Sequence, residues 1–124
     1  MNPDDGFFPP TENKVGTLKT VTLSTVVKLA NMHDREEELT NEIYEELLED
    51  LEEQLHRVPH LKNIRVVRNG EEQLGAEVGS IFVEFRDKRG AEMAVKLFKG
   101  RIYDGREIKA CYIDEQVYYN FIAK

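Results

Sequence analysis

The hydrophobic positions of this sequence change period several times, and each change marks an element. From Thr25 to Met32 the positions Val26, Val27, Leu29 and Met32 make a mostly apolar run, which predicts a strand. Leu39, Ile43, Leu47, Leu51 and Leu55 then recur every fourth residue, joined by Tyr44 and Leu48. That spacing predicts an amphipathic helix from about Glu36 to Arg57, stopped by Pro59. Leu61 to Arg68 alternates and predicts a second strand, closed by the turn Asn69-Gly70, and Glu71 to Gly79 is expected as a loop. Ser80 to Phe85 gives the clearest strand, with Ile81, Val83 and Phe85 on one side and Ser80, Phe82 and Glu84 on the other. Ala91, Ala94, Val95, Leu97 and Phe98 place a helix over Lys88 to Lys99, ended by Gly100. After a loop from Arg101 to Arg106, the run Glu107 to Ile113 predicts a last strand whose inward residues are Ile108, Ala110 and Tyr112. Asp114 then caps a short helix carrying Val117, Tyr118, Phe121 and Ile122.

The predicted order is β-α-β-β-α-β plus a C-terminal helix, an α+β arrangement of the ferredoxin-like, split βαβ kind. Right-handed crossovers put both main helices on one face of a four-stranded antiparallel sheet. The other face is left open and partly apolar, and the final helix is the nearest candidate to cover it. Residues 1–20 mix Pro, Asp, Gly and Lys with Phe7 and Phe8 and show no periodicity, so they are expected to be a tail or linker before a domain over 21–124. Phe7 and Phe8 are candidates for docking elsewhere.

Composition narrows the function classes. A chain of 124 residues with 40% hydrophobic and 33% charged content fits one core. It has no long apolar run and no signal-peptide opening, which predicts a soluble, intracellular protein without a membrane partner. Cys111 is the single cysteine, and His33, His56 and His60 do not cluster with it, so no metal site or disulfide framework is expected. With no phosphate loop and no nucleophile beside a base, the sequence predicts neither an enzyme nor a cofactor. The net charge of -7 is concentrated. Eleven acids lie between Asp34 and Arg57 against the two arginines 35 and 57, so the excess negative charge belongs to the first helix. Such a field repels phosphates and attracts Lys/Arg-rich partners, although an acidic helix face can also be merely solubilising.

Val27 to Met32 (VKLANM) and Val78 to Phe85 (VGSIFVEF) resemble the first- and third-strand signatures of the RNA recognition motif. In that family, rings on the open sheet face stack with unpaired bases. Here the first-strand aromatic position is Lys28 and one third-strand position is Ser80; only Phe82 remains. Each missing stack removes roughly 1–3 kcal/mol, so RNA binding through this sheet is expected to be weak or absent.

Within that superfamily the chain is similar to the UHM subfamily, the homology motif of the U2 snRNP auxiliary factor. The similarity rests on the first strand VVKLANM without its aromatic, the acidic first helix NEIYEELLEDLEEQL (41–55), and Gly100-Arg101-Ile102-Tyr103 where the family places an Arg-x-Phe loop. The resemblance implies a monomeric, nuclear module of a pre-mRNA splicing factor that holds a tryptophan from a short basic peptide of another splicing factor. Carried over, the loop ring is Tyr103, the loop arginine Arg101, and the acidic pair Glu46 and Asp50, with Glu42 and Glu53 extending the line. The four-residue spacing of Glu46 and Asp50 sets both carboxylates along one side of the helix. Tyr103 stands where the family has Phe, so its hydroxyl needs water or a partner. Gln54 falls where the family offers a further acid, so Arg101 must pair with Glu53 or make a neutral hydrogen bond.

Two other readings stay open. The chain could be a single-stranded RNA binder using Phe82 with Lys28, Arg65 and Lys109, or a structural domain that oligomerises through its acidic helix. A Gly-Arg-x-Tyr loop also occurs in ordinary RNA-binding members, where Tyr103 would be a core wall and Arg101 a surface residue. Tyr112, Tyr118 and Tyr119 are expected to be packing residues.

Overall fold

The computed structural model describes residues 20–34, 36–73 and 76–122. The expected tail, with Phe7 and Phe8, lies outside the described residues apart from its last position, Thr20. The elements in chain order are β1 (Thr20–Val21), β2 (Val26–Ala30), α1 (Asn41–Leu55), β3 (Leu61–Val66), β4 (Ile81–Phe85), α2 (Lys88–Phe98), β5 (Ile102–Tyr103), β6 (Arg106–Glu107), β7 (Lys109–Ile113) and α3 (Glu115–Ile122). The four expected strands form an antiparallel sheet in the order β7-β2-β4-β3, and the two-residue β1 adds a short fifth strand at the β7 edge. The order puts β2 and β4 at the centre, where both faces are covered. Val26, Val27, Ile81, Phe82, Val83, Glu84 and Phe85 are accordingly all buried.

Alternation along the strands divides the interior in two. Val27, Leu29, Ile81, Val83 and Phe85 meet Leu47, Leu51 and Leu55 of α1 and Ala91, Ala94 and Phe98 of α2. Val26, Phe82 and Ile113 point the other way and pack beneath Tyr118 and Phe121 of α3. The expected pairing of Ile81, Val83 and Phe85 on one face against Phe82 and Glu84 on the other is what the structure has.

Helix boundaries follow the caps more closely than the apolar period. α1 starts at Asn41, five residues after the expected Glu36, because Thr40 adopts an extended conformation and its hydroxyl accepts from Ile43 N at 3.2 Å. The preceding acids form a turn in which the Asp34 carboxylate accepts from Glu36 N at 2.9 Å. Asp87 caps α2 by accepting from Gly90 N at 3.1 Å, and Asp114 caps α3 by accepting from Val117 N at 3.1 Å. Gly90 is needed for a different reason. A Cβ there would lie 2.6 Å from Pro59 O and 2.8 Å from the Phe85 ring, so α2 sits closer to the sheet than any side chain allows.

The segment Arg101 to Arg106, expected as a loop, is a β-hairpin. Asp104 and Gly105 have φ of 51° and 82°, the two left-handed positions of a two-residue type I′ turn. Ile102 pairs with Glu107 and Tyr103 with Arg106. The last expected strand is thereby split at Ile108, Glu107 belonging to the hairpin and Lys109–Ile113 to β7.

Candidate functional site

The sheet face that would carry stacked bases is not a free platform. Phe82 has no exposed surface; its ring centroid lies 5.4 Å from that of Tyr118 and 5.4 Å from that of Phe121. Beside it the buried Glu84 accepts a hydrogen bond from the Tyr119 hydroxyl and sits 3.4 Å from Lys62 Nζ. Lys28 is 3.7 Å from Glu77, and the Arg65 guanidinium lies 5.7 Å from the centre of the Phe121 ring. Lys109 is exposed on a separate cavity of about 210 Å³, with Ala30, His33 and Ser80. Of the four residues predicted for RNA, the ring that would stack a base is therefore sealed by α3. Tyr118 is fully buried, Tyr112 half-buried against the helix-side core, and Tyr119 packs at the edge of α3 with its hydroxyl on Glu84.

The second predicted constellation does converge. The hairpin is held to the C-terminal half of α1 by two hydrogen bonds: the Tyr103 hydroxyl donates to Asp50 Oδ2 at 2.6 Å, and Arg101 Nη1 donates to Gln54 Oε1 at 3.0 Å. The hairpin base is fixed by Ile108 N to Arg101 O at 2.8 Å and Gly100 N to Ile108 O at 3.0 Å. Between hairpin and helix is a cavity of about 310 Å³, whose floor is Met32, Phe98 and Ile108 and whose rim is Asp50, Glu53, Gln54 and Arg101. Ile102 and Tyr103 complete it from the hairpin side. That size sits at the small end of ligand pockets, roughly 300–1,000 Å³.

Five of the predicted residues, Asp50, Glu53, Gln54, Arg101 and Tyr103, line this one cavity. Glu46 lies on the other side of Tyr103, in a smaller cavity of about 160 Å³ that also includes Leu47, Asp104 and Arg106. Glu42 is exposed in the first turn of α1, one turn further away. Arg101 takes the neutral partner Gln54. The Tyr103 hydroxyl titrates well above the usual tyrosine value, first because it is partly buried and then because it is bonded to Asp50, with Asp104 and Glu46 adding to the effect.

Sequence reasoning did not assign Met32, Phe98, Ile102 and Ile108 to the site. Met32, Phe98 and Ile108 are indistinguishable from core in the hydrophobic pattern, since they are 2% exposed and serve both purposes. The hairpin itself carried a signal, the dipeptide Asp104-Gly105, which favours two-residue reversals between strands.

An antiparallel α+β sheet with two helices on one face and a third on the other defines a ferredoxin-like domain. The RNA recognition motif matches residues 37–109, more than half of the chain, and the chain belongs to that family. It is similar to a U2af large-subunit splicing factor of Arabidopsis thaliana, 30% identical over 101 residues, covering 81% of this chain and 16% of that protein. It is 29% identical over 106 residues to the protein of the same name from Nicotiana plumbaginifolia, covering 82% and 18%. It is also 29% identical over 94 residues to the splicing factor U2AF 59 kDa subunit of Schizosaccharomyces pombe, covering 75% and 18%. The chain thus spans less than a fifth of the curated relatives it matches. Among solved structures, the RRM3 domain of Gbp2 matches with a TM-score of 0.54 at 12% identity, over 83% of this chain and 88% of that one. The RNA15 RRM matches at 0.50 and 23% identity, over 76% and 94%. At such identities the two agree in fold. No helix among the described residues is long and apolar enough to cross a membrane.

Proposed function

We propose that residues 21–124 form a UHM-type protein-interaction module of a splicing factor, with 1–20 as a tail, which captures one tryptophan of a short basic peptide between α1 and the β5–β6 hairpin. The observation that carries this reading is the cavity beside Tyr103. It has an apolar floor, an aromatic wall and a rim that includes Asp50 and Glu53, a combination suited to an aromatic side chain with cationic neighbours. The relatives' identity as splicing factors supports the setting, which implies nuclear residence and a partner that is itself a splicing factor.

The energetics are consistent with a weak, selective contact. Fully burying an aromatic side chain removes about 150–250 Å² from water, on the order of 4–6 kcal/mol before the cost of ordering the peptide. Lysine or arginine contacts with the exposed acids of α1 add about 0.2–1 kcal/mol each and accelerate encounter. Net of that ordering cost, a dissociation constant no tighter than the micromolar range is expected. The ring supplies affinity and the charges supply steering.

In this reading the module works as a monomer, without catalysis or cofactor, and binds RNA weakly or not at all through its own sheet, since α3 occupies the place of a base over Phe82. Calorimetry with a basic peptide bearing one tryptophan, repeated with that tryptophan changed to alanine, tests it. Loss of measurable heat with the alanine peptide is expected. Equal binding of both peptides would reject the proposal, and resonance shifts across the sheet on adding a single-stranded oligonucleotide would favour RNA instead.

A further inference from the structure

We infer that the outer face of the β5–β6 hairpin is a second contact surface for the same ligand and takes one lysine or arginine side chain, its stem on Ile102 and its charge on Glu107; this rests on the peptide reading above. Side chains alternate along a strand, and directly paired residues share a face. Tyr103 and Arg106 are one such pair, so Ile102 and Glu107 form the pair on the opposite face. Ile102 is 65% exposed, the most exposed large hydrophobic residue described. It is not on a loose loop. The hydrogen bonds of Tyr103 and Arg101 to α1 and the type I′ turn fix the backbone on both sides of it.

Glu107 supplies the chemistry. Its side chain is exposed and makes no ion pair or hydrogen bond among the described residues. Its Oε2 lies 3.9 Å from where a Cβ on Gly100 would be, so the carboxylate lies beside the hairpin base, next to an uncharged glycine. A rigid aliphatic surface beside an unpaired carboxylate complements a long cationic side chain, which buries its methylenes and leaves its charged end in water. A purely apolar ligand group would leave Glu107 without a partner, and a carboxylate would be repelled. Because Ile102 also lines the cavity that receives the ring, the cation belongs close to the tryptophan in sequence.

Calorimetry on the full chain tests this with peptides in which each lysine or arginine flanking the tryptophan is replaced in turn by norleucine or alanine. Ile102→Ser should weaken the parent peptide by about tenfold, the loss of a partly buried aliphatic contact. Glu107→Gln should weaken it by about two- to fivefold and should abolish the effect of the norleucine replacement at one position only. Both substitutions are at exposed positions, and unchanged thermal unfolding shows that the fold is intact. Parent affinity retained by both variants, while the tryptophan-to-alanine peptide still fails to bind, would overturn the hairpin contact and leave the tryptophan site standing. Indifference to the tryptophan itself would overturn both.

Discussion

The Tyr103 hydroxyl and the Asp50 carboxylate are 2.6 Å apart, and this bond joins the hairpin to the C-terminal half of the acidic helix. It ties up one carboxylate of the predicted acidic pair with a group from the same chain. Asp50 therefore has less free lone-pair capacity for a ligand cation than Glu53, which has no such partner among the described residues. Tyr103→Phe removes the bond and keeps the ring. It should lower stability by about 0.5–1.5 kcal/mol, yet leave peptide affinity within about threefold, because the stacking plane persists and a freed Asp50 can pair outward. Chemical denaturation and calorimetry on the same variant check both halves. A tenfold loss of affinity would mean that the bond, rather than the ring, organises the site.

Charge on α1 should act on encounter more than on anchoring. Replacing Glu46 and Asp50 together by lysine is expected to weaken a basic peptide by about tenfold and to flatten its dependence on salt. Association rates measured across ionic strengths decide this. Unchanged slopes would remove the helix from the binding surface.

Four tyrosines, among them Tyr112, raised by burial and by Glu92, give the fold a pH dependence at the alkaline end. Tyr118 is pushed up to about 12 by burial and by nearby Glu84, and Tyr119 to about 12 by its hydrogen bond to Glu84 and then by burial. Tyr103 is raised in the same direction, from the ordinary 10.0. In each case the folded chain holds the proton more tightly than the unfolded chain. Ionisation of these groups therefore leaves folding stability untouched below about pH 10 and lowers it as pH rises through about 12. Urea unfolding at about pH 9 and about pH 11, with tyrosinate absorbance followed on the native chain, should show falling stability and late ionisation. Ionisation of all the tyrosines near 10 in the folded state would contradict it.

Tyr118 offers a test of how α3 is held. Its side chain has no exposure and its hydroxyl has no hydrogen-bond partner among the described residues, so the hydroxyl contributes a desolvation cost and nothing in return. Tyr118→Phe should leave the packing on Phe82 intact and stabilise the chain by about 1 kcal/mol or more. A measured destabilisation would mean that a bound water satisfies that oxygen.

Most of the architecture was legible in the amino-acid sequence, because it depends on periods that short stretches carry by themselves. Alternation at 81–85 assigned Phe82 and Glu84 to the face opposite Ile81 and Val83, and the fourfold spacing of leucines assigned the buried side of α1. The sequence likewise concentrated negative charge on one helix and removed two of three stacking positions from the sheet. Boundaries were less legible: Thr40 had a cap's chemistry, but the leucine period ran through it.

Tertiary structure alone decided the rest, because each remaining feature needs residues far apart in the chain to meet. The final helix was the nearest candidate to cover the open face, but that Tyr118 and Phe121 would both close on Phe82 depended on their reaching a strand more than thirty residues earlier. That Arg101 would choose Gln54, and Tyr103 would choose Asp50, depended on the angle at which a hairpin meets a helix. That Met32, Phe98 and Ile108, buried like the rest of the core, also form the floor of a cavity has no local signature, since hydrophobic pattern records what avoids water and not which part of it borders a cleft.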